Sequence, residues 1–359
     1  MIKGNKGEWS EYYAFLKLLV NRRLDFGGPG YKKLDQGFYS IIKLIRIENN
    51  ISKSYELLAD GRVKVSDGNK DIRIVDIADV KEKIESIFKI IAADSERTFS
   101  IGDARKIMNN LGNSLLSAGS QMKDDLTLKI HDEITGSEPE IGFSIKSMIG
   151  SPATLLNASG ATNFIYTIKG IDESKVAGIN RINTRAKIRD RLVAIEKVGG
   201  FFEYKEMDSK IFEGNLRLCD TILPEILAQM LLLYNMGRGN SLEGLIDQVV
   251  MCGVKIRGFS IDRLGYEHKI SNLLYAVALG MVPNSKWNGF MRAYGGYIIV
   301  RDDGELVGYN VYNADIFRKY LLKTTKFETA SSSRHEFGVI YESEGKFYIK
   351  LNLQIRFLN

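Results

Sequence analysis

Two alternating runs between residues 125 and 147 constrain this chain most, because they fix how two strands must pair. Both "DLTLKIH" (125–131) and "EIGFSIKS" (140–147) carry apolar residues at every second position, the pattern of a half-buried strand. Apolar residues of paired antiparallel strands must stand opposite one another. The register that satisfies this rule sets Phe143 opposite Leu126 and Ile141 opposite Leu128, and it leaves "DEITGS" as the loop.

The polar face of this hairpin collects ionisable groups. The register places Asp125 opposite Ser144, beside Lys146. A rival carboxylate, Asp132, would need a register that sets Ile130 across from Lys146, so we predict that Asp132 caps the loop instead. Phosphodiester hydrolysis needs carboxylates that hold Mg²⁺ and a cation that orients or deprotonates water. Asp125 and Lys146 supply half of such a site, and Ser144 adds at most a neutral oxygen.

A second carboxylate must therefore come from elsewhere, and three candidates are open. Residues 8–20, "EWSEYYAFLKLLV", are apolar on nearly every face and predict a buried helix. Glu11 precedes a packed stripe on this helix that would carry it towards the sheet, and Glu8 lies beside a second stripe. Glu140 shares the face of Lys146 but stands six residues away, roughly 20 Å at strand rise, which is too far for one metal.

Composition excludes several classes of protein. The 359 residues are 44% hydrophobic and 26% charged, with a net charge of +6 that suits a polyanionic partner. No apolar run is long enough to span a membrane, the N-terminus has no signal segment, and no Walker or GxGxxG loop occurs, so we expect a cytoplasmic protein that hydrolyses no nucleotide. The histidines are too scattered for a zinc site. Cys219 and Cys252 are predicted to be reduced core thiols.

The order of predicted elements describes a mixed chain. The segment 54–75 alternates around Asp-Gly turns, helices follow at about 77–93 and 101–110, and "GSPATLLNAS" predicts a short helix with Ser151 as cap and Pro152 in the first turn. "TNFIYTI" predicts a strand. The stretch 183–282 is mostly helical, and the chain then returns to a hairpin in 295–312, a helix, and one closing strand, "GKFYIKLNLQIRF". We divide the chain into a nuclease core (1–182) and a C-terminal recognition region (183–359), although one continuous domain fits equally.

The combination of a helix acid, Asp125, the triplet Ser144-Ile145-Lys146, a helix and a strand resembles the PD-(D/E)xK nuclease superfamily, whose core is helix, three-stranded meander, helix, strand. More specifically, "KGEWSEYYAFLKLL", "GFSIKSMIGSPATLLNASGATNF", "SSSRHEFG" and "LNLQIRF", in that order, are similar to the HpaII type II restriction endonucleases over residues 3–358. The resemblance implies an α/β (α+β) fold, with a mixed sheet flanked by helices, helical and β insertions, and a C-terminal DNA-recognition part. It also implies Mg²⁺-dependent cleavage of duplex DNA at CCGG by a cytoplasmic enzyme with a partner methyltransferase.

Carried over residue by residue, the resemblance assigns Asp125 as the motif aspartate, Lys146 as the motif lysine and Glu11 as the helix glutamate. Asp125 and Glu11 are then the metal ligands. The chain departs from the superfamily pattern at Lys123-Asp124, where a proline is usual, and at Ser144, where an acid is usual. These departures put the number of metal ions in question more than the activity.

The C-terminal residues predict DNA contacts. Arginine bonds in bidentate fashion to guanine, which suits a site of G and C alone. On "KLNLQIRF", polar residues alternate with apolar ones, and the alternative interpretation is a solvated sheet face. The candidate DNA contacts are Arg334, His335, Lys350, Asn352, Gln354 and Arg356. Trp287 and Tyr294 are suited to stacking on nucleotides or to core packing.

Two functional hypotheses from different classes follow. The first is a site-specific endonuclease, and the second is a non-catalytic DNA-binding protein on a degenerate nuclease fold, suggested by Ser144. Lys146 favours the first, because a protein that only binds DNA has no reason to keep a lysine beside Asp125. A junction-resolving nuclease fits less well, since such chains are usually one short core. The sequence leaves the oligomeric state open, with a homodimer on DNA as one arrangement.

Overall fold

The computed structural model describes residues 2–68, 70–117, 124–133, 136–253, 255–258, 260–291, 295–310 and 314–358. Its α-helices are α1 (Lys6–Asn21), α2 (Ala78–Ala93), α3 (Gly102–Leu111), α4 (Glu173–Asn180), α5 (Lys187–Lys197), α6 (Lys210–Cys219), α7 (Leu223–Asn235), α8 (Leu242–Met251), α9 (Arg263–Leu279) and α10 (Ala314–Thr324). Its strands are β1 (Arg23–Gly27), β2 (Lys33–Glu48), β3 (Ile51–Leu57), β4 (Val63–Asp67), β5 (Lys70–Val75), β6 (Leu126–His131), β7 (Glu140–Ser147), β8 (Thr154–Leu156), β9 (Asn163–Lys169), β10 (Phe201–Met207), β11 (Gly296–Val300), β12 (Leu306–Tyr309), β13 (Thr325–Phe327), β14 (Ile340–Ser343), β15 (Lys346–Asn352) and β16 (Ile355–Phe357). Short 3₁₀ turns lie at Pro29–Tyr31 and Gly160–Thr162. The predicted mixed α/β architecture is confirmed.

The chain forms two compact units, the first from Met1–Ala153 with Arg292–Tyr320 and the second from Thr154–Met291 with Leu321–Leu358. The first unit contains a nine-stranded sheet in the order β1-β12-β11-β7-β6-β2-β3-β4-β5. The second contains a four-stranded sheet, β10-β9-β15-β14, and a three-stranded sheet, β13-β16-β8. The functional division at residue 182 stays a prediction.

Helix α1 is the buried helix that its composition predicts. Asn5 caps it through a reciprocal pair of hydrogen bonds with Glu8, and the helix ends at Arg22, which adopts a left-handed backbone conformation (φ 59°). Ten of its sixteen residues are buried. The helix packs against β7 and α2. Because it packs on the catalytic strand predicted from sequence, α1 can present a side chain to that strand.

The predicted hairpin register is confirmed. Leu126 pairs with Phe143 and Leu128 with Ile141 in the antiparallel β6–β7 ladder. On its other side β7 pairs in parallel with β11, where Ser144 faces Tyr297. Strand β7 is therefore internal to the sheet, with residues 141–145 buried and Lys146 at the half-buried end of the strand.

Two elements after the hairpin differ from the prediction. The short helix predicted from Ser151 was wrong: the chain forms β8 and then a 3₁₀ turn, because residues 154–156 pair with β16 from the far end of the sequence. Residues 163–169 do form a strand, β9, but it belongs to the four-stranded sheet of the second unit. The parallel neighbour of β7 is β11, which arrives much later in the chain.

The closing strand was also wrong as one element. It is two strands, β15 and β16, which belong to different sheets and are separated at residues 353–354. At this break the Leu353 backbone amide donates to the Thr162 carbonyl. The side-chain Nδ2 of Asn352 donates to the Ser159 carbonyl, Thr162 Oγ1 and Asn163 Oδ1. The predicted continuous polar face therefore does not form, and Asn352 is buried at 3% exposure.

Other predicted elements are confirmed at 51–75, 78–93, 102–111 and 296–309. The cysteines are free as expected, but Cys252 is exposed rather than a core residue, and Cys219 is half-buried. In the described part of the chain, no helix has both the length and the apolar character needed to cross a membrane.

Candidate active site

Two hydrogen bonds link Lys146 through Ser144 to Asp125, and a third holds Asp125 from the backbone of β7. Lys146 Nζ donates to Ser144 Oγ at 2.8 Å, and Ser144 Oγ donates to Asp125 Oδ2 at 3.0 Å. The same Oδ2 accepts from the Ile145 amide at 2.6 Å. Because Ser144 bonds both partners, the residue that replaces the usual acid links Lys146 to Asp125.

The two carboxylate oxygens of Asp125 differ in their hydrogen bonding. Its Oδ2 accepts both of these bonds, whereas Oδ1 has no hydrogen-bond donor among the described residues. Its backbone is fixed as well, since the Asp125 amide donates to the Phe143 carbonyl at 2.9 Å. A rigidly held aspartate with a free oxygen is suited to bind a cation.

Glu11 faces the same cluster from α1. Burial raises the pKa of its carboxyl to about 8, with a further increase from the charge of Asp125 and opposing effects of Lys146 and Arg46. Glu11 also lines the same cleft as Lys146, which is linked through Ser144 to Asp125. The structure therefore brings together all four predicted catalytic residues, Glu11, Asp125, Ser144 and Lys146.

A cleft of about 550 Å³ opens onto this cluster. Glu11 and Lys146 line it, together with the N-terminal end of α1 and residues 145–153. Lys6 and Arg97 add cationic side chains, and Asp94 and Glu96 add acidic ones. The cleft gives a substrate access to Lys146 and Glu11.

The rival carboxylates lie elsewhere or are engaged. Glu8 accepts from the Asn5 amide at 2.8 Å as part of the helix cap. Glu140 forms an ion pair with Lys43 at 2.7 Å at the other end of the hairpin. Asp132 closes the loop, where its carbonyl accepts from the Gly136 amide. These positions leave Glu11 as the helix acid beside Asp125.

The donor set of the cluster suits a metal ion that keeps most of its water ligands. No three His, Cys, Asp or Glu side chains among the described residues form a group that could hold a metal by themselves. Mg²⁺, however, usually keeps several waters and takes only one or two carboxylates plus substrate phosphates. Asp125 and Glu11 are two carboxylates of that kind and would hold such an ion, whose positive charge would favour the ionised form of Glu11.

The residues predicted to contact DNA all belong to the second unit, and they differ in exposure and in their hydrogen bonds and ion pairs. Arg334 is exposed, and the His335 carbonyl accepts from Asn163 Nδ2 at 3.0 Å. Lys350 Nζ pairs with Asp208 at 2.7 Å. Arg356 pairs with Glu328 at 2.8 Å and donates to Thr154 Oγ1.

The remaining candidates have weaker support. Gln354 is half-buried, and its carbonyl accepts from the Glu328 amide. Asn352 is committed to internal bonds, as described above. The Trp287 indole donates to the Phe290 carbonyl at 2.9 Å, and Tyr294 lies outside the described residues. Arg334 is therefore the most available base-reading side chain of the predicted set.

Comparison with known proteins shows the family of the chain. The model of the HpaII restriction endonuclease family matches residues 5–357. The chain is 40% identical, over 356 residues, to the type II restriction enzyme HpaII of Haemophilus parainfluenzae, covering 99% of this chain and 98% of that protein. The chain belongs to the HpaII restriction endonuclease family. It is a type II site-specific deoxyribonuclease, an enzyme that acts on double-stranded DNA. No solved structure matches it.

Three further residues lie at the site of this HpaII-family enzyme and were not predicted from the sequence. Asp124 packs over Gly142, where an added Cβ would lie 1.9 Å from Asp124 Oδ2, and burial followed by the charge of Asp125 raises its pKa. The Tyr297 ring lies 5.4 Å from Lys146 Nζ. Arg46 is buried and lowers the pKa of Glu11. The double aspartate was a visible signal for Asp124, but Tyr297 and Arg46 lie on strands whose pairing no local pattern predicts.

The raised pKa of Glu11 predicts how the stability of the metal-free HpaII-family enzyme depends on pH. Between the ordinary value of 4.5 and about 8, the folded protein keeps a proton that the unfolded chain releases. The free energy of unfolding should therefore fall as pH rises through this window, by on the order of a few kcal/mol. Urea unfolding in EDTA at pH 5 and pH 8 measures it.

The variant Glu11→Gln should flatten this pH dependence. Glu82→Gln, the same chemical change at an exposed position of α2, serves as the control and should behave like the wild type. An equal pH dependence in Glu11→Gln and the wild type would show that Glu11 is not the titrating group.

Proposed function

We propose that this enzyme cleaves duplex DNA at CCGG by Mg²⁺-dependent activation of water. The observation that carries the proposal is the chain from Lys146 through Ser144 to Asp125, with Glu11 beside it at an open cleft. A carboxylate pair and a lysine at one cleft are the groups that phosphodiester hydrolysis needs. Cleavage at CCGG rests on the family resemblance.

We infer a PD-(D/E)xK core in the first unit. Helix α1, the antiparallel strands β2, β6 and β7, and the parallel strand β11 supply the helix, meander and final strand of that core. The large segment between β7 and β11 then enters as an insertion. A mixed sheet with an acid-bearing helix packed on its catalytic strand supports this assignment.

In this proposal each residue has a separate role. Asp125 and Glu11 would hold Mg²⁺, whose charge would be available to neutralise the scissile phosphate. Lys146 orients the attacking water and stabilises the negative charge of the transition state. Ser144 positions Lys146 beside Asp125, and the Tyr297 ring lies 5.4 Å from Lys146 Nζ.

Recognition is assigned to the second unit, in line with a C-terminal recognition region. Arg334 is expected to read a guanine, since a bidentate pair contributes about 1–3 kcal/mol of discrimination. Arg334→Ala should therefore reduce the affinity gap between CCGG and single-mismatch duplexes by roughly tenfold or more. Affinities measured in Ca²⁺ on both duplexes decide it.

Arg356 gives the internal comparison for this prediction. The sequence predicts that Arg356 reads a base too, but in the structure it is paired with Glu328. Arg356→Ala therefore reports the effect of losing a structural ion pair, for comparison with Arg334→Ala. An equal loss on every duplex in Arg334→Ala would make that arginine a backbone contact, and base readers would have to be sought elsewhere.

The biological setting follows from the proposed activity. Such an enzyme acts in the cytoplasm beside a methyltransferase that protects the same site. Cleavage of both strands requires either a homodimer on DNA or two successive nicks.

Digestion of a sequenced plasmid with Mg²⁺, followed by sequencing of the fragment ends, tests the proposal. Discrete fragments that end at CCGG are expected, with no cleavage in EDTA. Specific binding without cleavage in any divalent cation would instead support a DNA-binding protein on a degenerate nuclease fold.

A further inference from the structure

A second polar cleft, of about 520 Å³, lies within the second unit. One wall is formed by residues 185–189, at the start of α5, and the other by residues 329–333. Tyr234, Asn235 and Gly237, at the end of α7, complete it. We call it the basic cleft.

The charge of the basic cleft is one-sided. Arg185, Lys187 and Arg189 line it, and none of the described lining residues is acidic. Arg189 Nε lies 3.4 Å from Asp190 Oδ1, so part of its charge is compensated. Arg185 and Lys187 form no ion pair with any described residue. The cleft therefore holds at least two uncompensated cations.

Elsewhere in the second unit, cations are commonly paired with carboxylates. The pairs include Lys169–Glu203, Lys205–Glu206, Lys210–Glu213, Arg217–Glu225, Arg257–Glu225, Arg263–Asp247 and Lys350–Asp208. In the described part of the unit other cations are unpaired as well, so the local excess of positive charge rests on the lining of the cleft itself, which has three cationic side chains and no acidic one. Such an excess favours a negatively charged ligand.

Hydroxyl groups complete the lining. The Tyr234 hydroxyl lies 2.8 Å from Thr329 Oγ1, and Ser331 Oγ lies 3.3 Å from Ser333 Oγ. Hydroxyls beside arginine and lysine are donors that proteins use for phosphate oxygens. The set of donors in the basic cleft thus fits a phosphate group.

The cleft also adjoins the predicted base reader. Arg334 directly follows the Ser331–Ser333 wall, and the turn is closed by bonds from the His335 amide to the Ser331 carbonyl and from the Phe337 amide to the Ser332 carbonyl. A ligand held by this wall would therefore contact residues that directly precede Arg334 in the sequence. Phosphate contacts of this kind fix the register of a protein on DNA.

We propose that the basic cleft binds a backbone phosphate of the DNA duplex and thereby positions Arg334 for base reading. This proposal rests on the proposed DNA-cleaving function. It assigns Arg185 and Lys187 to the backbone, where they act on every sequence alike, and it leaves discrimination to Arg334.

The test compares two double variants that remove the same charge. Arg185→Gln with Lys187→Gln empties the basic cleft of its unpaired cations, whereas Lys169→Gln with Lys205→Gln removes two paired ones. In Ca²⁺, the cleft variant should bind matched and mismatched duplexes about tenfold more weakly at about 0.1 M salt, and the slope of log affinity against log salt should fall by about 1 to 2. The control variant should change both quantities much less.

Additional variants and measurements distinguish binding of a DNA phosphate from loss of folding and from binding of a free anion. The charge-conserving variant Arg185→Lys with Lys187→Arg should restore the salt slope, and thermal unfolding checks that each variant is folded. A loss confined to the matched duplex, or a loss equal to that of the control, would overturn the proposal. If inorganic phosphate stabilises the wild type but not the cleft variant while duplex binding is unchanged, the cleft serves a free anion and the proposal fails. Cleavage of plasmid by the wild type, measured in parallel, reports on the proposed function separately.

Discussion

Replacing Lys146 with alanine, or Asp125 with asparagine, is expected to abolish cleavage while specific DNA binding is largely kept. In the proposed mechanism Lys146 orients the attacking water and stabilises transition-state charge, and the loss of one such stabilising group costs about 10²–10³-fold in rate. Asparagine retains an oxygen that can accept from the Ile145 amide, so the hairpin should stay intact in Asp125→Asn. Single-turnover cleavage with Mg²⁺, and binding in Ca²⁺, measure the two properties separately.

Asp132→Asn provides the matched control, because Asp132 belongs to the same hairpin but closes its loop. It should cleave at nearly the wild-type rate. Full activity in folded Lys146→Ala or Asp125→Asn would show that the active site is assigned to the wrong residues. Inactivity of Asp132→Asn alone would show that the active site lies at the other end of the hairpin.

Glu11→Gln is expected to lose about a hundredfold or more in cleavage rate and to require more Mg²⁺, because we propose Glu11 as the second metal ligand with Asp125. Ser144→Ala should lose less, about tenfold, since it removes two hydrogen bonds but no metal ligand. Single-turnover rates across a Mg²⁺ titration compare the two variants.

Glu8→Gln is the control on the same helix. It weakens a helix cap, at a cost of about 1 kcal/mol in stability, and should leave the rate nearly unchanged. If Glu8→Gln is the inactive variant and Glu11→Gln is active, the metal ligand has been assigned to the wrong face of α1.

The hairpin was predictable because its information is local. Alternation on both runs requires apolar residues to face one another, and the pairing of Leu126 with Phe143 satisfies this requirement. The buried helix was equally readable, since an element that is apolar on nearly every face has to be buried. The residue patterns of these two elements were therefore enough to infer the grouping of Asp125, Ser144 and Lys146.

The errors arose where distant segments decide the local structure. Ser151 and Pro152 are typical of a helix start, yet residues 154–156 directly after them pair with β16, some two hundred residues away in the chain. The alternation of 346–357 continues through a point at which the chain changes sheets, so pattern alone predicts one strand. The basic cleft has no sequence motif, because its two walls meet only when α5 and the loop after β13 have folded.

The position of β11 has a consequence for synthesis of the protein. Strand β7 has β6 on one side as soon as the hairpin is made, but its other side is filled by residues 296–300. On the ribosome, the catalytic strand is therefore an open sheet edge, with unpaired backbone groups, throughout translation of the intervening unit. Tyr297, which covers Lys146, arrives with the same strand. A chain interrupted before residue 300 lacks one strand of this sheet, so we expect nuclease activity only from chains that extend beyond β11.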